Sequence, residues 1–245
     1  MEVKVRNNQI LISGLDKWNI HINQTQQQQL ETYYDLLIEW NSFMNLTGIV
    51  EYEEVLVKHF LDSLALFNKK PYQTNLSILD MGTGAGFPGI PLKIVYPDLK
   101  VTLVDSLNKR IKFLDEVIHK LELKDIISVH ARAEELARKE EYREQYDIVV
   151  SRAVARTVSL AEFCIPYVKV GGYFIPYKSG NIQGELDEAQ HAIKVLGGKY
   201  EEIVNFEVPN SDMQRTLIYI KKVKSTPKAY PRAGGKPLKS PLVKE

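Results

Sequence analysis

Between residues 25 and 67 apolar side chains recur every three or four positions. Leu30, Tyr33, Tyr34, Leu37 and Ile38 make one stripe, and Leu56, Phe60, Leu61 and Leu64 a second. That spacing places side chains on one face of a helix. Thr25 with Gln28 three places on has the form of a capping box, so the first helix is expected to start there, with Gln26–Gln29 as its exposed first turn. The second helix is expected over about 52–67. Asn45-Leu46-Thr47-Gly48 is the polar break between them, and Asn68-Lys69-Lys70-Pro71 ends the region. Residues 1–70 thus read as an N-terminal helical extension.

From residue 76 the period changes. Short apolar runs at 77–81, 101–105, 126–129, 147–151 and 173–177 alternate with helical patterns at 109–123, 133–141 and 185–196. This alternation predicts an α/β, Rossmann-like, mostly parallel sheet covered on both faces, with ligands at the carboxyl ends of its strands. Two more runs, 203–208 and 217–223, have no clear helix between them and predict a closing antiparallel pair. The sheet region is expected to fill 71–223. Residues 224–245, with prolines at 227, 231, 237 and 241, read as an extended tail.

Composition changes this picture in two places. The single cysteine, Cys164, excludes an internal disulfide or a cysteine metal cluster, and in AEFCIPY it reads as a buried thiol. No metal is expected. Nothing resembles a signal peptide or a membrane-spanning run, so a cytoplasmic protein without a membrane partner is expected. The net charge of +1 hides an asymmetry. Residues 221–245 hold eight basic side chains and one acid, leaving 24 of the 32 basic and 30 of the 31 acidic residues on the body. A basic tail on an acidic body suits contact with a polyanion or simple solubilisation.

The densest chemistry is DMGTGAGFPGIPLK at 80–93, directly after the first strand. Gly82, Gly84 and Gly86 give the pattern D-x-G-x-G-x-G, and Asp105 closes the second strand, where an acid binds ribose hydroxyls. A literal GxGxxG (Gly84, Gly86, Gly89) would suggest a dinucleotide, but it starts one step late. Asp80, at the end of the first strand, would also repel a pyrophosphate. S-adenosylmethionine has no phosphate and brings an ammonium and a sulfonium, which a carboxylate favours. Pro88 or Pro91 fits an early helical position after the loop.

Lys109 and Arg110 open the next helix against its dipole, so an RNA phosphate or a nearby acid such as Asp115 or Glu116 should offset them. Arg132-Ala133-Glu134 follows the third strand, where this fold contacts adenine, and SRAVAR at 151–156 follows the fourth, where the acceptor arrives. No Asn/Asp-Pro-Pro-aromatic tetrad for base-amino methylation stands there, and Cys164 lies in the wrong context for carbon-5 chemistry. An acceptor that needs no activation remains, and guanine N7 is one: positioning and electrostatics can supply most of such catalysis. His59 reads as a structural histidine, with Asp62 near enough to orient it and a substrate role open. Lys58, His59, Lys109, Arg110, Arg156, Lys178 and Arg232 are the candidate RNA contacts.

Together these stretches resemble one family, small-subunit ribosomal RNA methyltransferase G, also called glucose-inhibited division protein B. The resemblance runs through Asn45-Leu46-Thr47, KHFLDSL at 58–64, the glycine loop, DSLNKRIKFL at 105–114, RAEE at 132–135, SRAVAR, and YPRAGGKPLKSPL at 230–242. It implies N7 methylation of a guanine in 16S ribosomal RNA near the decoding site, and a seven-stranded sheet behind a helical extension. It also implies cofactor contacts at Gly82, Phe87, Ala133, Glu134 and Arg152, which join Asp80, Gly84, Gly86 and Asp105 from the reading above. Thr83 stands where many members have serine or alanine, and Lys58 where many have arginine. No catalytic residue is assigned. The expected partner is 16S RNA or the small ribosomal subunit, and the expected state a monomer. A nicotinamide-dependent oxidoreductase and a non-catalytic ribosome-assembly factor are the alternatives.

Overall fold

The structure, a computed structural model, describes residues 6–68, 73–180 and 182–244. The expected boundary at Lys69, Lys70 and Pro71 lies outside these residues, as does Glu245. Seven strands among them form one sheet: β1 (Ser77–Met81), β2 (Lys100–Asp105), β3 (Ile126–His130), β4 (Tyr146–Arg152), β5 (Val168–Lys178), β6 (Gly198–Glu207) and β7 (Gln214–Lys222). Their order is β3-β2-β1-β4-β5-β7-β6. The first five are parallel, and β7 runs antiparallel to both β5 and β6. Along β1 the residues Ile78 to Met81 are all buried, as a central parallel strand covered on both faces requires. Ile78 and Val150 join one apolar core while Leu79 and Val149 join the other, so successive residues feed opposite faces. The chain runs outward from β1 to β3 and then returns to β4. That reversal opens a crevice beyond the carboxyl ends of β1 and β4.

The first face is covered by α1 (Gln9–Lys17), α2 (Gln24–Met44), α3 (Tyr52–Val55), a π-helical stretch Leu56–Leu61, α4 (Asp62–Leu64), α5 (Gly89–Val95) and α6 (Asn108–Lys120). The second is covered by α7 (Ala133–Leu136), α8 (Thr157–Cys164) and α9 (Gln183–Val195). The extension therefore shares its core with the sheet. Tyr33 lies at the centre of that contact, fully buried, stacked on Phe60 at 5.5 Å and donating its hydroxyl to the Ala85 carbonyl in the glycine loop.

Several expectations need correction. The capping box of α2 sits two residues earlier than expected: Asn23 and Gln26 exchange side-chain and backbone bonds of 2.9 Å each. That register also lets the Gln26 amide reach the Ile94 and Val95 carbonyls at the end of α5, while Gln29 reaches the Leu121 carbonyl, so the glutamine run is structural as well as exposed. Helix α8 was not anticipated because every one of its residues is buried, leaving no polar face to mark a period. The helix after β3 stops at Leu136. The tail is not simply extended: it folds back over the body and contains a short helix, α10 (Lys236–Lys239).

Candidate active site

The glycine loop after β1 is shaped by what stands around it. Gly82 has φ +69°, and a Cβ there would lie 2.5 Å from Val154 Cγ2; Gly86 has φ +97° and would meet Ile90 and the Tyr33 hydroxyl. Both positions need glycine for conformation and for space. Asp80 is fully buried beneath the loop and lines neither of the two cavities beside it. Its Oδ2 accepts from Thr83 Oγ1 at 2.6 Å and from the Gly89 N–H at 2.9 Å. Its Oδ1 is buried with no hydrogen-bond partner among the described residues. Burial pushes the carboxyl up to about 6, against the opposing pull of those two bonds. Asp105, buried at the end of β2, ties the neighbouring segments together. Its Oδ2 accepts from the Gly84 N–H at 3.0 Å and from Arg110 at 3.1 Å, and its Oδ1 from the Leu107 N–H at 2.9 Å. Arg110 is thus offset by Asp105, while Asp115 and Glu116 engage Ser128 and Lys120. Lys109 donates to the Met44 carbonyl at the end of α2.

Two cavities flank this loop and share Val154 as a wall. The smaller, about 290 Å³, is lined by Gly82, Val104, Asp105, Ala133, Glu134 and Phe163, and Gly235 and Leu238 of the tail also border it. The larger, about 560 Å³, is lined by Lys58, Asp62, Arg152, Tyr177, Lys178 and Arg215. Its two arginines are held by one buried acid: Asp62 accepts from Arg152 at 2.8 Å and from Arg215 at 3.0 Å. Asp62 therefore clamps two arginines and does not orient His59. Arg152 reaches His59 Nδ1 at 3.3 Å instead and lies 5.1 Å from the centre of the Phe87 ring. An arginine only donates, so Nδ1 accepts and the Nε2 proton goes to Thr47 Oγ1, 2.8 Å away. Burial, reinforced by the Arg152 charge, pushes His59 down to about 3, so its ring is neutral at physiological pH. That ring stacks on Phe87 at 4.4 Å.

The expected residues separate accordingly. Gly82, Asp105, Ala133 and Glu134 border the smaller cavity, whereas Arg152 borders the larger. Phe87 and Gly86 face the aromatic cluster, and Gly84 is bonded to Asp105. Among the RNA candidates, Lys58 and Lys178 line the larger cavity; Lys178 is fastened to Glu185 and the Ala155 carbonyl. Arg156 pairs with Glu188. Arg232 is not a free cation: its backbone and guanidinium are bonded to Glu162, an acid 1% exposed, at 2.7–3.1 Å. Lys222, counted with the basic tail, is buried against the Ile165 carbonyl, Thr226 and Glu144. Arg215, Val154 and Leu238 were not anticipated. Arg215 comes from the far end of the chain and carries no local motif.

A seven-stranded sheet of this order, with a glycine loop after β1 and an acid closing β2, defines a class I S-adenosylmethionine-dependent methyltransferase. The same fold is seen in TrmN from Thermus thermophilus (TM-score 0.52, 15% identity, covering 68% of this chain and 53% of that one). It is seen too in a SAM-dependent methyltransferase from Aquifex aeolicus (TM-score 0.50, 16% identity, 69% and 93%). Residues 26–218 match the family GidB, rRNA small subunit methyltransferase G. The ribosomal RNA small subunit methyltransferase G of Lachnoclostridium phytofermentans is 66% identical over 98% of this chain and all of its own length. That of Alkaliphilus metalliredigens is 52% identical over 95% and 98%. The chain belongs to the rRNA small subunit methyltransferase G family, and S-adenosylmethionine is its cofactor. The smaller cavity suits that cofactor: apolar walls at Val104 and Phe163 for a base, two buried carboxylates for hydroxyls, and no side chain at Gly82.

Proposed function

We propose that this protein transfers a methyl group from S-adenosylmethionine to N7 of one guanine in 16S ribosomal RNA, near the decoding site. The observation that carries this reading is the pair of cavities meeting at Val154, one apolar with two carboxylates and the other lined by four cations and two acids that bind three of them. When bound, the cofactor supplies an electrophilic methyl group on a sulfonium. Guanine N7 offers a lone pair and no proton, so the chain needs no general base, and its work is positioning and electrostatics.

Asp105 and Glu134 hold the adenosyl hydroxyls. Arg152, kept in place by Asp62 and by neutral His59, pairs with the cofactor's carboxylate beside Phe87. The unmet Oδ1 of Asp80 takes up the cofactor's ammonium, directly or through a water. Lys58, Lys178 and Arg215 bind RNA phosphates at the rim of the larger cavity, and the exposed lysines at 224, 228, 236, 239 and 244 add weaker, salt-sensitive attraction. The protein acts on this reading as a monomer in the cytoplasm, where a ribosomal RNA substrate is found.

The test incubates tritiated S-adenosylmethionine with small subunits from cells lacking the enzyme and, in parallel, with protein-free 16S RNA. N7-directed strand cleavage then maps the label. Label at one guanine is expected, and the stronger of the two substrates is the natural one. No label on either, with cofactor binding intact, would favour an RNA-binding assembly factor instead.

A further inference from the structure

The tail was expected either to contact a polyanion or simply to solubilise, yet its path leads to the smaller cavity. Thr226 is fixed by Glu144 and Lys222, Tyr230 by Arg143, Pro231 by Arg138, Arg232 by Glu162, and the Pro237 carbonyl by Ser159. These bonds strap 226–237 across the face that carries α8. Where the strap meets the smaller cavity it changes character. Gly234 and Gly235 both have φ +70° with open space where a Cβ would be. The Gly235 N–H donates to Glu134 Oε1 over a long 3.3 Å. Leu238, 58% exposed, is a large apolar side chain at the rim of a cavity whose walls are already apolar.

We propose that Leu238 and the Gly234–Gly235 turn form a lid on the adenosyl end of the cofactor site, with Leu238 burying itself against the adenine. The lid rests on the placement of S-adenosylmethionine in the smaller cavity. A strap this firmly bonded on both sides of a double-glycine turn can shift at the turn without unfolding. Leu238 gains burial when an apolar base fills the space beneath it. Glu134 couples the two events, because the carboxylate that binds the cofactor also holds the turn.

Calorimetry on the full chain tests this with two probes, S-adenosylhomocysteine and 5′-deoxy-5′-methylthioadenosine, the second lacking the amino-acid end. Leu238→Ala, at an exposed position, leaves the fold intact and should weaken both probes by a similar factor, about five- to tenfold. Gly235→Ala meets no neighbour and strains only the backbone, so it should weaken both in the same way. Amide exchange at 234–240 should slow when either probe is bound to the natural chain. If the natural chain binds the probes and both variants bind as tightly, with exchange unchanged, the lid is refuted and the cavity stands. Variants that keep cofactor affinity but lose affinity for 16S RNA would make Leu238 an RNA contact and overturn the proposal. Failure of the natural chain to bind either probe would remove the cavity assignment and the lid together.

Discussion

The two cavities on either side of Val154 are built by different means. The smaller is made by backbone: a glycine loop, the ends of β1 and β2, and the turn after β3, with two carboxylates fixed in place. The larger is made by side chains that converge from four distant segments, around Lys58, Arg152, Lys178 and Arg215, and its two arginines are ordered by one buried aspartate. A backbone site is defined by strand order and tolerates little change in shape. A side-chain site depends on long cations held in a network, where one deletion loosens several partners.

The largest expected effect comes from Asp105→Ala. It removes the acceptor for Gly84, Leu107 and Arg110 together with the hydroxyl ligand, so affinity for S-adenosylhomocysteine should fall at least about 100-fold, roughly 3 kcal/mol, by calorimetry.

Asp80→Asn sharpens the comparison by separating stability from binding. The carboxyl rises from 3.8 to about 6 in the folded protein, so the folded state binds the extra proton. Stability contributed by this group is therefore present below pH 3.8 and lost as pH rises through about 6. The loss amounts to roughly 3 kcal/mol at neutral pH. Asparagine cannot ionise, so the stability difference between variant and natural chain, from thermal melts at pH 4 to 7, should grow in the variant's favour as pH rises. Its cofactor affinity should nonetheless drop about tenfold, as a charge-assisted contact is lost.

Arg215→Ala acts on the other cavity. We expect S-adenosylhomocysteine affinity within about twofold of the natural chain, methylation of 16S RNA reduced about 10- to 30-fold in kcat/KM, and a salt slope of RNA binding shallower by about one. Asp62 is left with Arg152 alone. A cofactor affinity that fell as far as the methylation rate would merge the two cavities into one site. The smallest effect is expected from Lys58→Arg, a side chain at the rim paired with Glu54: RNA affinity should tighten two- to threefold at most, about 0.5 kcal/mol, through bidentate phosphate contact, as filter binding would show.

The difference in construction explains what the sequence could disclose. β1, the glycine loop and the run that ends at Asp105 carry local, periodic signals, so the mostly parallel sheet, the cofactor class and several residues of the smaller cavity were legible. The antiparallel close of the sheet followed from two runs without a helix between them. Helix α8 escaped because its burial is complete, and the α2 cap was misplaced because Asn23 and Thr25 are both good capping residues with a glutamine three places on. The charged cavity was the least legible. Lys58 and Lys178 were named without their partners, Asp62 was assigned to His59 instead of to two arginines, and Arg215 carried no signal. The basic tail misled because charge counts do not reveal partners: Lys222 and Arg232 are tied to buried or half-buried carboxylates.

A crystal structure of the full chain with S-adenosylhomocysteine tests the central division most directly. The ligand's adenosyl group should occupy the smaller cavity, with its ribose on Asp105, Leu238 over the base and its carboxylate toward Arg152, while the space between Lys58, Lys178 and Arg215 stays open for the acceptor. An adenosyl group seated among Lys58, Lys178 and Arg215, with the smaller cavity empty, would contradict the account.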